Sequence, residues 1–163
     1  MAFASTSLAS AARIGLMPTP FESATLNLKL FDLRREAVLR QARAWFLSDF
    51  NPESFAEFVD LVSGMHNAWF RMVIGYWDMA ASLVTIGAID GDAFRAAHTE
   101  IFATFSKIQP FLDELRKAGK EPDLCKHMEA VVMAAPDVEA LLTRRRDAMR
   151  AVAKARASKS TVE

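Results

Sequence analysis

Apolar residues recur at helical spacing along most of the chain. Between Thr25 and about Ser48, Leu28, Phe31, Val38, Ala42, Trp45 and Phe46 return at intervals of three and four, which predicts a first helix. Glu36 stands four residues before Arg40, the favourable order for a surface ion pair on such a helix. Asn51-Pro52-Glu53 predicts a second start: a capping side chain, a proline at the first helical position and an acid in the first turn. That helix runs to about Val62, and Gly64 within Ser63–Asn67 predicts a break. A fourth pattern, Phe94, Ala97, Ile101, Phe105, Ile108, Leu112 and Leu115, contains Pro110, whose missing N–H and bulky ring predict a kink near Lys107. Gly119 and Pro122 close it. Helix is expected again from about Asp123 to Ala134, and Pro136 opens a last one. Its apolar signal (Val138, Leu141, Leu142) fades after Leu142, so the remainder is expected to fray.

The third pattern is different in kind. From Ala68 to Ile89 the chain is almost wholly apolar, and it stops at Asp90-Gly91-Asp92. On a helical wheel Arg71, Gly75, Asp78, Ser82 and Thr85 step by four, three, four and three and form one narrow polar stripe. Trp69, Met72, Val73, Tyr76, Trp77, Met79, Leu83, Val84 and Ile86 fill the rest. A helix apolar nearly all round is buried in protein or in lipid. Lipid is disfavoured, because Arg71 and Asp78 would each cost roughly 2.5–3.5 kcal/mol near mid-span. The helix is therefore expected at the centre of a soluble bundle. Gly87 is suited to the left-handed position after its end, and Asp90 to capping the next helix. Arg71, Asp78, Ser82 and Thr85 are candidate functional positions. Either they bond groups on neighbouring helices beside a ligand pocket near Tyr76, or they face solvent. So narrow a polar face also suits an oligomer, where a partner covers what one chain cannot.

Length and composition narrow the setting. A chain of 163 residues with 52% hydrophobic and 25% charged residues suits one folded domain rather than a disordered one. The formal net charge is zero, so whole-chain charge points to no partner. The lone Cys125 cannot form an intrachain disulfide, which fits a cytoplasmic setting. Residues 1–24 are expected to be a flexible or over-long N-terminal tail, rich in Ser and Ala, with Met17 as an internal start. Residues 25–143 form the expected bundle, and residues 144–163 a basic end and tail.

Candidate chemistry is sparse. His66, His98 and His127 do not follow a Glu by three, and one cysteine cannot build a thiolate zinc site, so no metal and no cofactor are expected. Cys125, His127 and Glu129 at i, i+2 and i+4 do not share one helix face. Asp90-Gly91-Asp92 lacks the rest of a calcium loop and reads as a cap. No glycine-rich phosphate loop or activated nucleophile is recognisable, so no catalytic residue is assigned. The one electrostatic feature is a basic segment formed by Arg144, Arg145, Arg146, Arg150, Lys154, Arg156 and Lys159, against the single acid Asp147. It could bind nucleic acid or an anionic lipid surface; equally, bases near a helix C-terminus oppose the helix dipole.

With the helices placed, "GYWDMAASLVTIGAIDGDAF" followed by "KIQPFLDELR" resembles the DUF4760 family of bacterial proteins of unknown function. The shared features are the aromatic pair Tyr76–Trp77, the turn at Gly87, Ile89 and Asp90, and Ile108, Pro110 and Phe111 leading to Arg116. The chain also resembles conserved hypothetical proteins of soil bacteria, with "NLKLFDLRREAVLRQARAWF" as the opening helix. The likeness runs from about Thr25 to Val132. It implies a small helical protein and brings no functional residues with it.

The sequence thus predicts an all-α fold: a single compact bundle of five to six helices with a core of Trp45, Phe46, Trp69, Tyr76, Trp77, Phe94, Phe102, Phe105 and Phe111. The expected function is a non-enzymatic interaction or oligomerisation module with a homo-oligomeric or protein partner. The alternatives are anion-dependent binding through the basic segment, and a small-ligand binder or enzyme with a pocket near Arg71 and Asp78.

Overall fold

A computed structural model describes residues 18–160, and all regular structure in that range is helical. Helix α1 spans Pro20–Leu33, α2 Ala37–Ser48, α3 Phe55–Ser63, α4 Asn67–Thr85 and α5 Gly91–Ala97. Then come α6 (Glu100–Ile108), a 3-10 turn (Gln109–Phe111), α7 (Leu112–Gly119), α8 (Lys126–Met133) and α9 (Val138–Ser160). Counting α6, the 3-10 turn and α7 as one bent rod, the described residues form eight rods rather than the expected five to six. A side-chain cap at Glu36 explains the extra break between α1 and α2.

The chain enters α1 through a capping box that the tail assignment overlooked. The Thr19 hydroxyl accepts from the Glu22 N–H, the Glu22 carboxylate accepts from the Thr19 N–H, and Pro20 occupies the first turn. Residues 20–24 are therefore helical, whereas Met17 and everything before it lie outside the described residues. The predicted single helix from Thr25 to Ser48 is in fact two. The Glu36 carboxylate does not simply pair with Arg40 on a surface; it accepts from the Val38 and Leu39 N–H groups and caps α2. Those bonds, Val38 first, hold its carboxyl below the usual range. Splitting the helix also turns α1 away from the predicted face: Leu28, Phe31 and Val38 are exposed, and Leu30 and Leu39 are buried.

Ser54 rather than Asn51 caps α3, by accepting from the Glu57 N–H, while the Asn51 amide donates back to the Ser48 carbonyl. Gly64 ends α3 as predicted. Gly87, at φ 79°, supplies the left-handed residue after α4, and the Asp90 carboxylate caps α5 through the Ala93 N–H, both as predicted. The bend at Pro110 falls on the 3-10 turn just beyond Lys107, and an unpredicted break at His98 and Thr99 separates α5 from α6. The final helix does not fade after Leu142; α9 continues to Ser160. Its packed side continues through Arg145, Arg146, Met149 and Arg150, whose aliphatic stems cover the bundle while their heads find acceptors.

Helix α4 lies at the centre, against α8 on one side and α2 on the other, while α9 runs along α6. The predicted core aromatics are buried except Trp69, which is half-buried. Phe50 and Phe58 extend the core, with ring centroids 5.1 Å apart edge to face, and Phe58 meets Phe111 at 5.3 Å. No helix among the described residues is long and apolar enough to cross a membrane.

Candidate functional site

The polar stripe of α4 divides into an inner and an outer half. Asp78 faces α8 and accepts the Met128 N–H at 2.9 Å, so its carboxylate caps that helix from across the bundle. This matters because Cys125, the residue ahead of α8, makes no side-chain cap. Thr85 also reaches α8: its Oγ1 lies 2.7 Å from His127 Nδ1. The Thr85 hydroxyl also lies 3.0 Å from the Ser82 carbonyl of its own helix. Which of the two donates is set by the imidazole tautomer. Ser82 donates to Met79 of its own helix. Arg71 is exposed and makes no side-chain hydrogen bond among the described residues, and it does not meet Asp78.

What the outer face of α4 carries is mainly apolar. Met65, in the turn ahead of α4, is 88% exposed, Met72 36%, Met79 41% and Ile86 71%. These four recur every seven residues. Between them, three positions further along each time, stand Ala68, Gly75 and Ser82, all small. A Cβ added at Gly75 would meet nothing within 4 Å. From Ala68 to Ile86 the outer face is thus a line of alternating large apolar and small residues, roughly 27 Å long at the rise of an α-helix. The all-round apolar character of the stretch hid this period of seven from the wheel.

Two buried polar clusters fix the helices that present this face. At the first, Arg34 at the end of α1 and Arg43 on α2 both donate to Glu100 at the start of α6, Arg34 at 2.7 Å. Their side chains are only 13–17% exposed. Arg43 also donates to the Arg34 carbonyl, and the Arg34 guanidinium lies 5.1 Å from the Trp77 ring centroid. The Tyr76 hydroxyl donates to the Leu30 carbonyl at 2.7 Å, and burial pushes its pKa up to about 12. At the second, the Lys107 ammonium donates to the carbonyls of Phe46, Leu47 and Phe50, each at 2.8 Å. It satisfies acceptors left free at the end of α2. Burial pushes its pKa down to about 7, against the pull of Asp49.

The seven bases of the C-terminal segment do not form one free basic surface. Arg146 donates to the Ser106 carbonyl, Arg150 donates to the Pro52 carbonyl, Lys154 lies 3.3 Å from Glu53, and Arg145 sits 6.0 Å from the Phe102 ring centroid. Arg144 and Arg156 are exposed, and the side chain of Lys159 lies outside the described residues. Cys125 is buried, and that burial pushes its thiol up to about 12, far from a reactive thiolate. Among the described residues no three His, Cys, Asp or Glu side chains stand together as metal ligands.

The molecule is thus an all-α bundle whose ionised groups clamp helix ends and whose central helix leaves one apolar edge open. The chain belongs to DUF4760, a domain of unknown function that matches residues 20–134, as the resemblance implied. Comparison with curated proteins finds no match, and comparison with solved structures finds none.

Proposed function

We propose that this protein is a self-associating module, in which the outer face of α4 pairs with the same face of a second copy. The observation that carries this reading is the exposed line Met65, Met72, Met79 and Ile86, spaced by sevens with Ala68, Gly75 and Ser82 between. A strict seven-residue repeat is the signature of two helices packing along a shared seam. The alternation makes the seam self-complementary: in an antiparallel pair each methionine of one copy falls over a small residue of the other. Gly75, near the middle, lets the two backbones approach closely. Methionine is well suited to such a face, because its flexible thioether adapts to the opposing surface.

Two substitutions test this with opposite signs. Met79→Glu puts a charge on the seam and is expected to convert a dimer into a monomer, read by light scattering across a concentration series, without loss of helicity. Gly75→Leu is expected to stabilise the monomer by about 1 kcal/mol, because glycine in an exposed helix interior is unfavourable and its Cβ position is open. The same substitution should weaken association at least tenfold. A wild-type chain that stays monomeric at high micromolar concentration would refute the proposal, as would a dimer indifferent to both changes.

A further inference from the structure

A second surface, sharing no residue with the α4 line, lies between α1 and α5. It is a groove of about 710 Å³, within the usual range for small-molecule sites. Its walls are apolar: Leu28 and Phe31 on α1, Ala93 and Ala97 on α5. Its described lining includes no Lys or Arg, and the Asp90 carboxylate is its one charged group.

Two polar side chains in this groove, Ser23 and Asn27, keep a donor free. His98 lines it and is only 2% exposed. His98 and Asn27 are bonded at 3.0 Å between Nε2 and Oδ1, so the imidazole donates to the amide oxygen. That bond leaves His98 Nδ1 buried with no partner, and it leaves the Asn27 amino group with no acceptor among the described residues. Burial, with Arg34 nearby, lowers the His98 pKa, which favours the neutral ring and leaves its Nδ1 an acceptor. One turn earlier on α1, Ser23 is 4% exposed, and its oxygen accepts from the Asp90 N–H at 3.2 Å. Its own hydroxyl proton has no acceptor among the described residues. Ser23 and Asn27 stand at i and i+4, hence on one face of α1. Two unspent donors therefore sit side by side in an apolar groove with an acid at its rim.

We propose that the groove binds a small neutral amphipath: an apolar body bearing a carbonyl oxygen, as in an aliphatic amide. The carbonyl accepts from Ser23 and Asn27, and the body lies between Leu28 and Phe31 on one side and Ala93 and Ala97 on the other. A carboxylate of the same length would face Asp90 with no base in the described lining to offset it, so charge selects against an anion.

The full chain is titrated calorimetrically with butanamide, hexanamide and octanamide, and with octanoate and octylamine as charged counterparts. Saturable amide binding is expected, tightening roughly fourfold per methylene, with octanoate at least tenfold weaker. Ala97→Phe fills the groove from an exposed position and should cost octanamide at least tenfold while leaving the melting temperature unchanged. Asn27→Ala should weaken every amide by a similar factor irrespective of chain length. Ala93→Phe provides a second filling variant should Ala97→Phe fold poorly. No saturable binding would overturn the proposal. Octanoate or octylamine binding as tightly as octanamide, or a filling variant that binds like wild type, would overturn it equally.

Discussion

Glu100→Gln is expected to cost about 3–5 kcal/mol of folding stability, the range for removing one partner of a buried charge network. Among the described residues Glu100 is the only acid that Arg34 and Arg43 share, and all three side chains are largely shielded from water. The amide keeps the shape and one acceptor, so packing is preserved. What is lost is the negative charge between two guanidiniums, which then repel each other at short range. Removing one base instead should be milder: Arg34→Met leaves Glu100 paired with Arg43, and about 1–3 kcal/mol is expected from the lost bond to a charged group. Bond counting points the same way, since Glu100 accepts one bond from Arg34 and two from Arg43, whereas Arg34→Met removes only the first. Urea unfolding of the two variants decides it. Salt should recover little of the Glu100→Gln loss, because buried pairs are weakly screened. A loss below about 1 kcal/mol, or a larger loss for Arg34→Met, would show that water reaches the cluster freely.

The same cluster shows why part of the fold could be read from sequence and part could not. Features set by a few adjacent residues were legible: the left-handed Gly87, the Asp90 cap and the stop at Gly64 depend on local backbone chemistry alone. The break between α1 and α2 was not, because the apolar period runs on across Arg34–Glu36. Glu36 four residues before Arg40 looks the same whether it pairs on a surface or turns to cap Val38 and Leu39. Contacts that join distant segments leave no local trace. Asp78 and Met128 are 50 positions apart, and nothing near either residue announces that a carboxylate on one helix will cap another. Helix α9 failed for a different reason. Arg145, Arg146 and Arg150 continue the packed side of Val138 and Leu142, but a hydrophobic tally stops where arginine stems take over from leucine. The signal for the α4 seam was present as an unbroken period of seven, and only the burial of the other faces separates it from the apolar background.

Lys107→Met is expected to destabilise the fold by about 3 kcal/mol, and to change how stability varies with pH. The first effect follows from geometry. Three carbonyls that now accept from one ammonium lose it, and at least two of the bonds lie in the buried interior; each buried acceptor left without a donor costs roughly 1–3 kcal/mol. Methionine fills most of the space, so the loss is one of hydrogen bonds rather than of packing. The second effect follows from the lowered pKa. The Lys107 pKa is about 7 in the fold and 10.5 when unperturbed, so between those values the unfolded chain binds more protons than the native one. Wild-type stability therefore rises with pH above 7, by at most about 1.4 kcal/mol per unit. From about pH 8 upward Cys125, raised from 9.0 to about 12, works in the opposite sense: the unfolded thiol ionises first, so folding is disfavoured as pH increases. Tyr76, raised from 10.0 to about 12, adds to that decline above pH 10. Lys107 consequently dominates between pH 7 and 9, with a small opposing contribution from Cys125 between pH 8 and 9. Urea unfolding at pH 7, 8 and 9 should show wild type gaining stability, by up to about 2 kcal/mol over the window, while Lys107→Met stays level or falls by less than about 0.5 kcal/mol. A flat wild-type profile would mean that the three carbonyls hold the ammonium charged more firmly than burial opposes it, with the stability loss of Lys107→Met unaffected. Parallel rising profiles in both proteins would assign the pH dependence to another group.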